Sequence, residues 1–324
     1  DLLVVVGEEA CEADTAALSR LFALLWDAGL PVGHAVRTLD ECTAAAAGDV
    51  TVMTSLIEAR PLVAAPEMAA RLEDAVSVER VWPAGAFFAA KREELRRRHA
   101  RFGDTADNLE PNIKEGPGGL RDIQTLRWMA RRVFGTRDIE SLIPLGQLGL
   151  DEYSALEREW RVLARLRYGL HLVAGKREER LRFDYQKALA ARLQHVEDAD
   201  NDRVERMMQQ FYRSAAIVLR IGERLLQRFE EQIEGDAEAV PLDAEFAMKR
   251  GYLVARDEFW PGGDMARVFW LFALWADHPD AKGLHSRTAR ALAESLHALP
   301  AYHEASPELR EDFVDNALQL PVGT

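Results

Sequence analysis

Two sets of residues in this chain have the types and placement to do chemistry. Asp1 heads the apolar run LLVVV, and Asp49 heads VTVMTS. Carboxylates that begin neighbouring strands converge at one sheet edge. Hard oxygen donors so placed suit Mg²⁺, which bridges the phosphates of a nucleotide in phosphoryl or nucleotidyl transfer. The same two acids also fit ordinary capping of strand starts, and no spacing in the sequence fixes how closely they approach.

The second set lies in NLEPNIKEGPGGLRD, residues 108–122. Gly116, Pro117, Gly118 and Gly119 extend a helix poorly. Directly behind them Leu120, Ile123, Leu126, Ala130 and Val133 recur at helical spacing, with Gly135 as the stop. A glycine loop feeding a helix N-terminus can turn backbone N–H groups toward an anion where the helix dipole is positive. Lys114 and Arg121 flank it with positive charge, and Gly118 and Gly119 permit close backbone approach, so the stretch is a candidate phosphate cradle. GPGG matches neither common glycine fingerprint, and a tight turn with solvated basic residues is the competing account.

These groups need a scaffold. Residues 1–6 have the pattern of a strand buried on both faces, and residues 14–29 that of a helix with Leu18, Leu21, Phe22, Leu25 and Trp26 on one face. PVGHAVR is expected to be a second strand, TLDECTAAAA a short helix and DVTVMTS a third strand, a βαβαβ-like order. Helices broken near Pro61, Pro66 and Pro83 follow, and the basic run KREELRRRHARFG, residues 91–103, is expected to be a solvated helix face. Residues 151–174 and 203–234 carry apolar stripes of long packed helices. Between them Arg177, Arg180 and Arg182 precede Phe183, Asp184 and Tyr185, a set better explained by surface charge than by a bound base or phosphate. EGDAEAVP, residues 234–241, is a candidate linker, followed by a hairpin around Gly251 and helices near 264–277, 285–299 and 306–319. The expected fold is α+β: a sheet domain over 1–103, a helical domain with the glycine loop over 104–234, and a smaller hairpin-plus-helices region over 235–324.

Composition narrows the partners. With 41 Lys plus Arg against 54 Asp plus Glu, the formal charge is −13, which disfavours a general nucleic-acid coat, so any polyanion must be held locally. Cys11 and Cys42 have no metal-type spacing and fit reduced thiols in the cytoplasm. No run is long and apolar enough to cross a bilayer, and the N-terminus lacks the pattern of a signal peptide. No histidine is followed by aspartate and none makes an HExxH site. A chain that opens directly on a strand, without Met, reads as an excised piece.

The glycine-loop stretch NLEPNIKEGPGGLRDIQTLRWMARRVFG, with VGHAVRTLDEC, DVTVMTSLIEAR, RLRFDYQKALAARL and KRGYLVARDEF in order, resembles the bacterial PII uridylyltransferase and uridylyl-removing enzyme family. The resemblance implies a polymerase-beta-like nucleotidyltransferase domain followed by helices, with a His-Asp hydrolase domain and glutamine-sensing domains beyond the part seen here. It implies a metal site built from two acids one residue apart on a strand, after a Gly-Ser turn, and a third acid on a later strand. Asp1 then matches the second acid of the pair and Asp49 the third. The implied reaction is attack by a tyrosine of the PII signalling protein on the α-phosphate of UTP, with Mg²⁺ as cofactor and pyrophosphate leaving. Lys114, Gly118, Gly119 and Arg121 are candidates for the phosphates from chemistry and position, not from a family assignment. Uracil preference rests on the resemblance alone. The alternatives are a related adenylyltransferase acting on glutamine synthetase and a non-catalytic helical module that docks a regulatory protein.

Overall fold

The computed structural model describes the chain except residues 8–11, 31, 107, 194–199, 236–237, 296–298 and 318–324. Cys11, His195, His297 and the end of the last expected helix lie outside the described residues. The chain forms two compact units, Asp1–Ile233 and Glu234–Thr324.

The first unit opens with β1 (Leu2–Val5), α1 (Glu12–Asp27) and β2 (His34–Arg37), a parallel strand pair with Leu2 opposite His34 and Val5 opposite Arg37. β1 is half-buried along its length, not buried on both faces. On α1 only Phe22 of the expected stripe is fully buried, and its ring stacks on His34 at 3.8 Å, while Leu21 and Trp26 face solvent. α2 (Leu39–Gly48) starts at a capping box in which Thr38 and Glu41 satisfy each other's backbone N–H groups.

The third expected strand is a helix, α3 (Val50–Ile57). Two local devices and one packing contact override its β-branched composition. Asp49 caps the first turn, with Oδ1 accepting from the Thr51 N–H at 2.6 Å. Thr54 and Ser55 bond back to the carbonyls of Val50 and Thr51. Met53, Leu56 and Ile57, at three- and four-residue intervals, bury one face with Cys42, Ala46, Phe87 and Trp128. The packing period therefore decides the element, and strand propensity yields to it.

α4 (Pro66–Ala75) and α5 (Ala84–Ala100) follow, each with a proline at or just before its first turn. α6 (Leu120–Phe134) ends at Gly135 in the left-handed region, φ 67°. It packs on α5, and the strand pair and the helical region on either side of residue 103 belong to the one unit Asp1–Ile233. α7 (Leu150–Ala174), α8 (Phe183–Leu193) and the 35-residue α9 (Asp200–Glu234) complete the unit. Met207, Phe211, Ala215, Val218, Leu225 and Phe229 form the buried stripe of α9, packed with Ile123, Leu126 and Met129 of α6.

In the second unit β3 (Val240–Pro241), β4 (Phe246–Lys249), β5 (Tyr252–Ala255) and β6 (Gly283–Leu284) form one sheet in that order. The β4–β5 hairpin turns at Arg250 and Gly251, both at positive φ, which matches the twist of the flanking strands. α10 (Met265–Asp277), α11 (Ser286–Ser295) and α12 (Pro307–Ala317) are the three expected helices, with Phe246, Leu253, Trp260 and Leu271 in the core. The α+β class expected from the sequence is the one observed.

Candidate functional site

The glycine loop sits at the start of α6 and is almost wholly buried from Gly116 to Leu120. Its backbone donors are all committed within the chain. Ile113 N–H donates to the Glu179 carbonyl, and those of Lys114 and Glu115 to Asn112 Oδ1. Gly116 N–H donates to the Asn112 carbonyl, Gly119 to Gly116, Leu120 to Ile113, Arg121 to Lys114 and Asp122 to Gly119. Gly118 N–H goes to Asp122 Oδ2 at 2.7 Å, and Pro117 has none to give. The expected cradle of outward backbone N–H groups is therefore not formed.

The glycines serve close packing instead. A Cβ on Gly118 (φ 73°) would lie 2.4 Å from the carbonyl oxygen of Ala215 in α9, and one on Gly119 would lie 2.7 Å from the Ile113 carbonyl oxygen. The close approach that the sequence assigned to a ligand is made to the chain's own backbone.

Behind the loop is a buried ionic knot. Asp122 accepts from Gly118, from Arg98 Nη1 at 2.7 Å and lies 3.0 Å from His99 Nε2. Arg98, 3% exposed, also donates to the Glu115 carbonyl at 3.0 Å. Its Nε and Nη2 have no hydrogen-bond partner. Lys91, 1% exposed, donates to Glu94 at 2.8 Å and stands 4.5 Å from the centroid of the Trp128 ring. Burial holds its pKa below the usual lysine range against the opposing pull of Glu94. The basic run of α5 is thus not a uniformly solvated face: Lys91 and Arg98 turn inward. A signal for this was present, since Phe87 and Lys91 are four residues apart on the row that the apolar pair Phe87–Phe88 begins.

Of the residues singled out from the sequence, Lys114 and Arg121 come together. Lys114 Nζ is 3.5 Å from Glu115 Oε1, and Arg121 reaches the same oxygen at 3.3 Å through both Nε and Nη2. Arg121 also lies over Trp128, 5.4 Å from the ring centroid, so Lys91 and Arg121 share one indole. Arg177 and Arg180 are held in ion pairs with Glu179 and Glu110, and Arg182 lies near Glu178. Arg180 bridges Asn112, tying its loop to the glycine stretch.

Asp49 does not head a strand; it lies between α2 and α3, exposed, as the cap described above. Its pKa is held below the usual aspartate range, first by the Thr51 N–H and with a smaller contribution from Lys91. Asp1 is exposed at the start of β1, its Oδ1 lying 2.5 Å from where a Cβ on Gly33 would be. Both are oxygen donors of the kind Mg²⁺ takes, and Mg²⁺ commonly uses one or two carboxylates with substrate phosphates completing its shell. Among the described residues no three His, Cys, Asp or Glu side chains stand together as a metal site. As oxygen donors the two carboxylates fit the ion chemically.

With this geometry in place, the relatives can be compared. Residues 86–226, from α5 through most of α9, match the family model described as GlnD PII-uridylyltransferase. The chain belongs to that family. It is 60% identical over 314 residues to the bifunctional uridylyltransferase/uridylyl-removing enzyme of Xanthomonas campestris pv. campestris strain B100, covering 97% of this chain and 36% of that protein. A protein of the same description from Pseudomonas putida strain F1 is 39% identical over 302 residues, covering 92% of this chain and 34% of the relative. The chain thus spans about a third of the length of the curated relatives it matches. No solved structure matches it. Among the described residues no helix is long and apolar enough to cross a membrane.

Proposed function

We propose that this chain is the part of a cytoplasmic nucleotidyltransferase that receives UTP and transfers UMP to a tyrosine of the nitrogen-regulatory PII signalling protein, releasing pyrophosphate. The observation that carries the reading is sequence likeness to uridylyltransferase/uridylyl-removing enzymes over 97% of the chain. The grouping of Lys91, Lys114 and Arg121 about Trp128 and Glu115 supports it with locally placed positive charge in an acidic protein. In this reading Asp1 and Asp49 are the protein's carboxylates for Mg²⁺, which when bound would neutralise phosphate charge and orient the triphosphate. Lys114 and Arg121 would hold the phosphates through their side chains, because the loop's N–H groups are already bonded. Gly118 and Gly119 would contribute by setting the position of Arg121 and not by touching the nucleotide.

The test is transfer of label from α-labelled UTP, against ATP, to purified PII protein by the full-length enzyme and its Asp49→Asn variant. Label from UTP appearing on PII, and lost in the variant, is the expected result. Preference for ATP, or no label on PII, would overturn the reading, and undiminished transfer by Asp49→Asn would remove Asp49 from the metal-binding set.

A further inference from the structure

One carboxylate, that of Glu115, is shared by three cations, and none of them is close to it. Lys114 Nζ is 3.5 Å from Oε1, Arg121 Nη2 is 3.3 Å from the same atom, and Arg98 Nε is 3.9 Å from Oε2. Charge-assisted N–H···O bonds settle near 2.7–2.9 Å when geometry allows. Elsewhere in this knot it does allow: Arg98 reaches Asp122 at 2.7 Å and Lys91 reaches Glu94 at 2.8 Å. The Glu115 carboxylate has lone pairs enough for three donors, yet it stands beyond that distance from all of them. A second observation points the same way. The Nε and Nη2 atoms of Arg98 are buried without a hydrogen-bond partner, a costly state for a guanidinium.

The remaining acids nearby are engaged. Asp122 is held by Gly118, Arg98 and His99, Glu94 by Lys91, and Glu179 by Arg167 and Arg177. Glu115 is the loosely held one, and its side chain is 32% exposed against 4% for Arg98. The cluster therefore opens to solvent through Glu115.

We propose that the position of the Glu115 carboxylate is a phosphate subsite for an inorganic or nucleoside polyphosphate, and that Glu115 is its built-in competitor. A phosphate group, with three oxygens in a tetrahedral arrangement and greater charge, reaches Lys114, Arg121 and Arg98 together when Glu115 swings outward. This deepens the nucleotidyltransferase reading by naming the subsite and its restraint, and it rests on that reading for the identity of the nucleotide but not for the anion chemistry.

The sign of one substitution separates a competitor from a structural carboxylate. In calorimetric titration of the full-length protein with inorganic tripolyphosphate, Glu115→Gln tightens binding about tenfold, the scale of one charged hydrogen bond no longer competing. Arg121→Gln weakens it by a similar factor. Unchanged or weaker tripolyphosphate binding by a folded Glu115→Gln overturns the proposal. Should that variant not fold, the melting-temperature rise that tripolyphosphate gives the wild-type protein decides, since it must shrink in Arg121→Gln; an equal rise in both overturns the proposal. Failure of the parent reading looks different: tripolyphosphate binds with these signs while no label passes from UTP to PII. UMP transfer without the Glu115→Gln gain removes the subsite alone.

Discussion

The two ends of one face of α6 make an instructive pair. Arg121, Thr125, Trp128 and Arg132 lie along a single row of that helix, with an arginine at each end. At the C-terminal end Arg132 is buried, and every nitrogen finds a carbonyl: Nε to Trp82 at 2.9 Å, Nη1 to Val76 at 2.7 Å and Nη2 to Ser77 at 2.9 Å. Burial is the main reason its pKa is lowered to about 10. Its neighbour Arg131 donates to the Ile57 carbonyl at 2.6 Å, so together they hold the ends of α3 and α4. At the N-terminal end the backbone is saturated and the cations are not. Arg121 makes only 3.3 Å bonds, and Arg98 keeps two unpartnered nitrogens. The same residue type therefore serves as an anchor where its donors are exhausted, and as a receptive group where they are left over.

The sharpest way to test that contrast is at the backbone. Gly118→Ala puts a Cβ 2.4 Å from the Ala215 carbonyl at φ 73°, where neither α9 nor the loop has room to yield. Strain and overpacking together predict a loss of about 4 kcal/mol. Gly135→Ala, at the other end of α6, meets nothing within 4 Å at φ 67° and carries only the left-handed penalty of about 1 kcal/mol. Equilibrium denaturation of both variants checks the pair. Equal losses would mean that the loop is not packed as described.

The arginines come next in size. Arg132→Ala strands buried carbonyls and is predicted to cost about 3 kcal/mol, and Arg132→Lys recovers little because an ammonium cannot span three divergent acceptors. Arg121→Ala, whose partner Glu115 is one-third exposed, should cost under about 1 kcal/mol. Melting curves for the three variants read this directly. A loss in Arg121→Ala matching that of Arg132→Ala would erase the distinction between anchor and receptive group.

What the sequence made legible follows from the same physics. The helices with clean apolar periods, their glycine stops and the hairpin at Gly251 are all where the pattern puts them, because periodicity and positive φ are local properties. Three errors are non-local. VTVMTS has strand composition, but its fate was set by Phe87 and Trp128, dozens of residues away, which reward a period of three to four. The glycine loop was recognised as special, but its occupant is Ala215 of α9, and nothing near residue 118 announces a helix nearly a hundred positions later. The inward turn of Lys91 and Arg98 was masked by a charged run whose average says solvent, since a charge count does not say which of several basic residues is buried.

The smallest effect on stability is predicted for Asp49→Asn, and it separates capping from metal binding. The residue caps α3 through Thr51, so Asp49→Ala should cost about 1 kcal/mol, while Asp49→Asn, which keeps a side-chain oxygen for the cap, should cost a few tenths. The folded-state pKa lies below the ordinary aspartate value of 3.8, chiefly through the Thr51 N–H. A lowered pKa means that this stabilisation is fully present above about pH 4 and is lost as pH falls through the depressed value. The wild-type chain should therefore lose stability in acid more steeply than Asp49→Asn below that pH, its advantage of a few tenths of a kcal/mol at neutrality closing as the carboxylate protonates. If Asp49 does nothing but cap α3, Asp49→Asn keeps its UMP transfer along with its stability. If it also lends its carboxylate to Mg²⁺, the same variant stays folded at neutral pH and loses transfer by orders of magnitude, because the amide retains the cap and gives up the charge.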